Sequence, residues 1–404
     1  MENPINKDWL INGNLNAFKF SKFLEKLINE ELFSEVINNY ELLVKEGYTS
    51  ELNEYCKRHY CKALYNLLKQ EESMIKCVEY VDKITSNSEQ MSADKEHYNQ
   101  YVNSIKFLIK KIKKSNNPNY RTIYTQLSKL NPDILSTSEM ELSGSDGRSY
   151  INVSSKELYY TQYIKSLIKL ENFHLAITVA EKALKNIEKW NYENDIWIMS
   201  RVHYAKCRLA ENFDEDIKSF KEFADFKNKW FLYSKVADVL FRQGFIDECI
   251  SYYAKAIVVS SKSNIDALVN VMYDFAILII DKHEDIAKDL ISQCYQTREF
   301  HGWNISPSLK FHLKFLQINN FAKVNFKILQ KKVIKLTNMH HGEIKMFNQE
   351  QNFGFIKMSN GTDIYFKGDK KNSKEYKENR KVFFDIDYDI KKNKNRAKNL
   401  FFSD

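Results

Sequence analysis

The sequence predicts a multidomain chain: an α-helical solenoid of stacked hairpins followed by a small five-stranded antiparallel β-barrel. Three observations carry this. Across 404 residues there are only 10 Gly and 4 Pro, so turns are few, and long helices joined by short connections are expected. Gly342, Gly354, Gly361 and Gly368 crowd into the C-terminal stretch, where apolar residues switch from helical spacing to alternation. Charge divides at nearly the same place. From Phe321 onward there are 19 Lys/Arg against 10 Asp/Glu, and the rest of the chain is near neutral at 42 against 43. A chain of this length exceeds one hydrophobic core, so more than one folding unit is expected.

Residues 1–135 read as helical hairpins. LFSEVINNYELLV, MIKCVEYVDKI and SIKFLIKKI carry apolar residues at i, i+3 and i+4, and Pro132 follows a helix end. Residues 136–155 are polar without helical period and read as a loop or hinge. Their GSDGRS run lacks the spacing that cradles phosphate and is a turn. Residues 156–320 form a repeat array, clearest over Trp230–Ser263. There Tyr233, Val236, Ala237 and Leu240 lead to Gly244 at a helix–helix turn, and then to Cys249, Tyr253 and Ala256. Small residues at Ala237, Cys249 and Ala256 suit close helix approach. Weaker copies place Ala176, Ala180 and Ala183, then Ile217, Phe220 and Phe223, then Ala287, Ile291 and Cys294 in corresponding slots. Spacing between copies is uneven, and Asp216 occupies a small-residue slot. The pattern resembles tetratricopeptide (TPR) repeats, which stack hairpins because one hairpin cannot bury its apolar face alone. The resemblance implies a groove that holds a protein or peptide partner.

Residues 321–337 read as a basic linker helix. Lys323, Lys327, Lys331 and Lys335 stand at i+4 spacing with Lys332 beside them. Such a stripe is either an ordinary solvated face or a track for phosphates. Residues 338–404 then alternate with period two, and Asn360-Gly361 is a strong hairpin signal. Four segments fall in order: Gly342-Glu343-Ile344-Lys345-Met346-Phe347-Asn348, Gln351-Asn352-Phe353-Gly354-Phe355-Ile356, Asp363-Ile364-Tyr365-Phe366-Lys367-Gly368 and Ala397-Lys398-Asn399-Leu400. This C-terminal region resembles cold-shock domains of the OB-fold type over its whole length, with Lys381–Tyr388 as the fourth strand. The resemblance implies binding of single-stranded RNA or DNA by base stacking. Read from the residues themselves, Phe353 and Phe355 share one strand face, Tyr365 and Lys367 join them, and Ile364 and Phe366 point inward with Gly354. Lys345, Phe347, Phe353, Phe355, Tyr365 and Lys367 are therefore the expected binding residues. Three positions depart from the cold-shock pattern: Met346 replaces a Trp, Lys367 a His and Gly368 an aromatic residue. That exchange favours phosphate contacts over stacking and predicts salt-dependent binding.

Other chemistries find little support. Cys56, Cys61, Cys77, Cys207, Cys249 and Cys294 form no CxxC pair and read as free buried thiols. Cys56, His59 and Cys61 at i, i+3 and i+5 point apart on a helix, so neither a metal nor another cofactor is expected. The polar N-terminal residues read as no signal peptide, and Ala267–Ile280 is too short and too polar to span a bilayer, which makes a cytoplasmic protein without membrane contact the expectation. No carboxylate pair, HExxH, P-loop or Cys/His arrangement has catalytic spacing, so no enzymatic activity is expected. Asp385 and Asp387 alternate along a strand and read as a solvated barrel face. Two readings remain. In one, the chain binds single-stranded nucleic acid, RNA ahead of DNA, while its array recruits a protein. In the other it is an interaction scaffold whose barrel has lost nucleic-acid binding and docks on the array or on a partner.

Overall fold

A computed structural model describes residues 10–11, 14–91, 100–115, 117–143, 149–209, 211–318, 324–368, 374–389 and 394–402. It divides into two units, Met1–Val202 and His203–Asp404.

In the first unit, β1 (Leu10–Ile11) and β2 (Asn14–Leu15) pair antiparallel. Six helices follow: α1 (Ala17–Asn29), α2 (Phe33–Lys45), α3 (Glu54–Gln70), α4 (Met74–Asn87), α5 (Gln100–Lys113) and α6 (Tyr120–Leu127). Asn16, Asn53 and Asn119 start three of them by accepting a backbone N–H of the first turn, which satisfies a donor the helix itself cannot. Phe20, Leu24, Val36, Leu43 and Leu64 fill one core, and Val81, Ile105, Leu108 and Ile164 another. The polar stretch 136–155 is more structured than its composition implies. Within it, β3 (Met140–Ser143) pairs antiparallel with β4 (Ser149–Asn152), and Tyr192 Oη bonds both the N–H and the C=O of Ile151. Most of the GSDGRS run, residues 144–148, lies outside the described residues. The hairpin α7 (Ser155–Lys169) and α8 (Phe173–Asn186) then begins the array, with Ala176, Ala180 and Ala183 fully buried. Helix α9 (Asn194–Leu209) crosses the boundary between the units.

The second unit continues with α10 (Phe213–Lys227), α11 (Trp230–Arg242), α12 (Ile246–Val259), α13 (Ile265–Ile279), α14 (Glu284–Phe300) and α15 (Pro307–Phe315). The repeat slots of α11 and α12 are core: Tyr233, Val236, Ala237, Leu240, Cys249, Tyr253 and Ala256 are all buried. Gly244 makes the turn at φ +80°, in the left-handed region where a Cβ is costly. Helix α16 (Phe326–Val333) is shorter than the basic linker helix expected over 321–337. It packs on α12 and α14 and tightens into a 3₁₀ turn at Ile334–Leu336.

A closed five-stranded barrel follows, of OB-fold order: β5 (His340–Asn348), β6 (Phe353–Met358), β7 (Asp363–Lys367), β9 (Lys394–Phe402) and β8 (Lys381–Asp389), the last returning to β5. The wholly antiparallel barrel expected from the sequence is corrected in one respect: β7 and β9 run parallel. Alternating directions cannot close around an odd number of strands, so one parallel neighbour is obligatory. Ile344, Ile356, Ile364, Phe366, Tyr376, Val382, Phe384 and Ala397 fill the interior. Among the described residues, no helix is long and apolar enough to cross a membrane.

Candidate nucleic-acid interface

Strand alternation builds the outer face of β5, β6 and β7. In register, Asn348 lies opposite Phe353 and Met346 opposite Phe355. Phe353 lies opposite Lys367, Phe355 opposite Tyr365, and Lys357 opposite Asp363. Residues directly opposite share a face, so Met346, Phe353, Phe355, Tyr365 and Lys367 stand together. The three rings are half-buried. Their centroids are 6.0 Å apart for Phe353–Phe355, 5.9 Å for Phe353–Tyr365 and 6.0 Å for Phe355–Tyr365, a mutually supporting aromatic cluster. Met346 is 38% exposed and borders the rings on one side. Lys367, exposed, borders them on the other.

Gly354 holds this face close to the core. A Cβ there would lie 2.5 Å from the Phe366 ring and 2.5 Å from the Met346 carbonyl oxygen, so only Gly lets β6 pass over Phe366.

Phe347 does not join the expected set. Its ring lies 5.8 Å from Phe366 and 4.5 Å from Tyr376 and packs on the barrel core. The cause is a β-bulge between Ile344 and Met346, which adds a residue and reverses which side chains face outward. Met346 turns out and Phe347 turns in. Gly368, where the family pattern carries an aromatic, belongs to the same adjustment: a Cβ there would lie 2.6 Å from the Phe347 ring. Lys345, within the bulge, is exposed and pairs with Asp363 at 2.5 Å, so its charge is shared with the sheet.

The linker lysines separate. Lys323 lies outside the described residues. Lys327 lines a cavity with Ser260, Phe300 and Gln330. Lys331 is exposed on α16, and neighbouring Lys332 pairs with Asp289 at 2.5 Å. Lys335, in the 3₁₀ turn where residues rotate by more than the α-helical step, lines a cleft with barrel residues.

The opposite flank of the barrel is occupied at Asp385, which corrects the reading of that residue as part of a solvated face, whereas Asp387 stays partly exposed and pairs within the barrel. Asp385 accepts from Lys255 Nζ of α12 at 2.9 Å, and Asp225 of α10 accepts from the same ammonium at 2.7 Å. The Lys255 side chain is 4% exposed and lies 4.7 Å from the Tyr233 ring, a cation–π contact. Asn399 donates to Asp385 at 2.9 Å and accepts from Asn228 at 2.8 Å. Asn338 N–H donates to Ser251 Oγ at 2.8 Å. Asp387 is raised by partial burial but lowered more strongly by Arg396 at 3.0 Å and Lys398 at 3.6 Å, so its carboxyl lies below the usual range.

In the first unit, a cavity of about 660 Å³ is lined by Lys22, Arg58 and Lys62 with Phe18 and Tyr55. Both rings are well exposed. Burial pushes the Cys56 thiol up to about 11 and the Cys61 thiol up to about 12, so neither is a ready thiolate. Among the described residues, no group of three or more His, Cys, Asp or Glu side chains is placed to hold a metal ion.

No family model matches the chain, and no curated protein matches it. Among solved structures it is similar to a tetratricopeptide repeat protein from Parabacteroides merdae, at 13% identity over 74% of this chain and 98% of that one, with a TM-score of 0.33.

Proposed function

We propose that this chain is a non-catalytic binder of single-stranded nucleic acid, RNA ahead of DNA. Its C-terminal barrel, of the cold-shock type, holds the strand, and its helical array holds a protein partner. One observation carries the reading: Phe353, Phe355 and Tyr365 cluster on the outer face of β6 and β7, with Lys367 beside them. Every base has a π-face, so such rings stack on a strand without needing its sequence, at about 1–3 kcal/mol per base. Lysines at the rim add phosphate contacts and salt dependence. In the helical hairpins ahead of the array, the cavity beside Phe18 and Tyr55, where Lys22, Arg58 and Lys62 outnumber Glu25, suits an acidic segment of a protein.

Phe353→Ala combined with Phe355→Ala is expected to weaken binding of labelled oligouridine, read by fluorescence anisotropy, by about tenfold or more, with circular dichroism unchanged. Unchanged affinity removes the assignment.

A specific observation also favours the scaffold reading, because the barrel is docked on α12 through Lys255. The two readings separate in a low-salt titration with poly-U and a matched duplex. Binding to neither favours the scaffold.

A further inference from the structure

We infer that the barrel carries a second nucleotide station beyond its aromatic platform, a basic cleft between the 3₁₀ turn at Lys335 and the far ends of β5, β6 and β8. It takes a backbone phosphate together with the next base of a single strand. This rests on the proposed binding of single strands by the platform and extends it.

The cleft measures about 580 Å³ and is lined by Lys335, His341, Glu343, Lys357, Lys381 and Phe383, among others. That volume falls in the range of small-ligand pockets. Its position follows from register. Lys357 is two residues beyond Phe355 on β6 and so lies on the same outer face, roughly 7 Å along the strand. Glu343 of β5 lies opposite both Lys357 and Lys381, and His341 lies opposite Phe383. The face therefore runs from the rings, through a cross-strand row in which Glu343 stands between Lys357 and Lys381, to a second pair of rings. The Phe383 and His341 centroids are 6.1 Å apart. Phe383 is half-buried, and Lys335, Lys357 and Lys381 are exposed.

The charges favour an anion. Among the described residues that line the cleft, three are lysines and one, Glu343, is a carboxylate. The nearby Asp363 is engaged by Lys345 at 2.5 Å. A ring pair next to three cations matches the two parts of a nucleotide: a flat base to stack on and a phosphate to neutralise. Lys335 comes from the linker and not from the barrel, so a bound strand would touch both.

The test compares two labelled oligouridines, one of about four nucleotides and one roughly twice as long, both within the span of a single OB-fold. The protein is the full chain, wild type against Lys335→Ala combined with Lys381→Ala. The variant is expected to bind the longer strand about tenfold more weakly and the shorter one as wild type does. Its log–log salt slope on the longer strand is expected to fall by roughly 1.4, two phosphates at about 0.7 each. Wild-type affinity and slope on the longer strand, or an equal loss on both lengths, would overturn the second station. The platform reading then survives if Phe353→Ala with Phe355→Ala still weakens both strands. Should the wild-type chain bind neither strand, the platform and the station fall together.

Discussion

The barrel has two flanks built from the same alternation, and they differ in what their outward side chains meet. From Asp385 onward on β8, and on the part of β9 beside it, the outward groups are polar with partners inside the chain: Asp385 with Lys255, Asp387 with Arg396 and Lys398, and Asn399 with Asn228. On β6 and β7 they are rings packed on one another, with Lys367 at the edge. A polar group that faces helices must be satisfied there, whereas rings gathered on an outer face present apolar area to whatever arrives. One flank fixes where the barrel sits, and the other is available for a ligand. Stability and binding should therefore separate by flank.

The largest expected effect is on the docked flank. Lys255→Met leaves Asp225 and Asp385 facing each other without their shared cation. Breaking a buried pair this way costs about 3–5 kcal/mol. The Asp225 side chain is 36% exposed, so the cost should lie nearer 2–3 kcal/mol after solvent screening. Urea unfolding measures it. A variant as stable as wild type would show that the network orients the barrel without stabilising it. Affinity for oligouridine per folded molecule should be unchanged, which is the sharper half of the comparison.

Next comes Gly354→Ala, which acts on the platform from beneath. Its methyl group would collide with the Phe366 ring and the Met346 carbonyl oxygen, and overpacking of this kind costs about 1–3 kcal/mol. Here stability and binding should fall together, because displacing Phe366 or β6 moves Phe353 and Phe355. Differential scanning calorimetry paired with anisotropy tests this. Loss of stability with intact affinity would mean that the rings are not held by that contact.

These two positions mark what could be read from the sequence. Gly354 between two Phe residues was legible, because alternation alone places it inside. The hairpin of α11 and α12 was legible slot by slot, because small residues and Gly244 encode close approach locally. Lys255 was not: its partner Asp385 is 130 residues away, and nothing local distinguishes it from a surface lysine. Nor was the inward turn of Phe347, since a single bulged residue reverses a strand's phase without a signature in the apolar pattern. The parallel β7–β9 pair follows from counting strands, but only once closure is known. The β3–β4 hairpin escaped because four-residue strands carry too little alternation to register above their polar setting.

Lys367→Ala sharpens the comparison at smaller amplitude. If this lysine, opposite Phe353, contacts one phosphate, its loss should lower the log–log salt slope of oligouridine binding by about 0.7, with affinity falling only severalfold and stability unchanged. An unaltered slope would assign the salt dependence to other lysines.

The smallest effect is a pH dependence confined to the docked flank. Arg396 and Lys398 hold the Asp387 carboxyl below its usual value despite partial burial. A depressed carboxyl pKa favours the folded state at all pH values above the ordinary carboxylate pKa, near 3.9. That contribution is lost as pH falls through the lowered value, because the folded state must then take up a proton at the expense of both ion pairs. Asp387→Asn should therefore be less stable than wild type near neutrality, and the difference should shrink as pH drops below about 4. Urea midpoints of the two proteins across that window measure it. A difference that stays constant with pH would mean Asp387 contributes through packing and not through charge. Phe353, Phe355 and Met346 carry no ionisable group, so these platform side chains have no counterpart to Asp387. Acid should therefore act on the flank that carries Asp387 and leave Phe353 and Phe355 as they are.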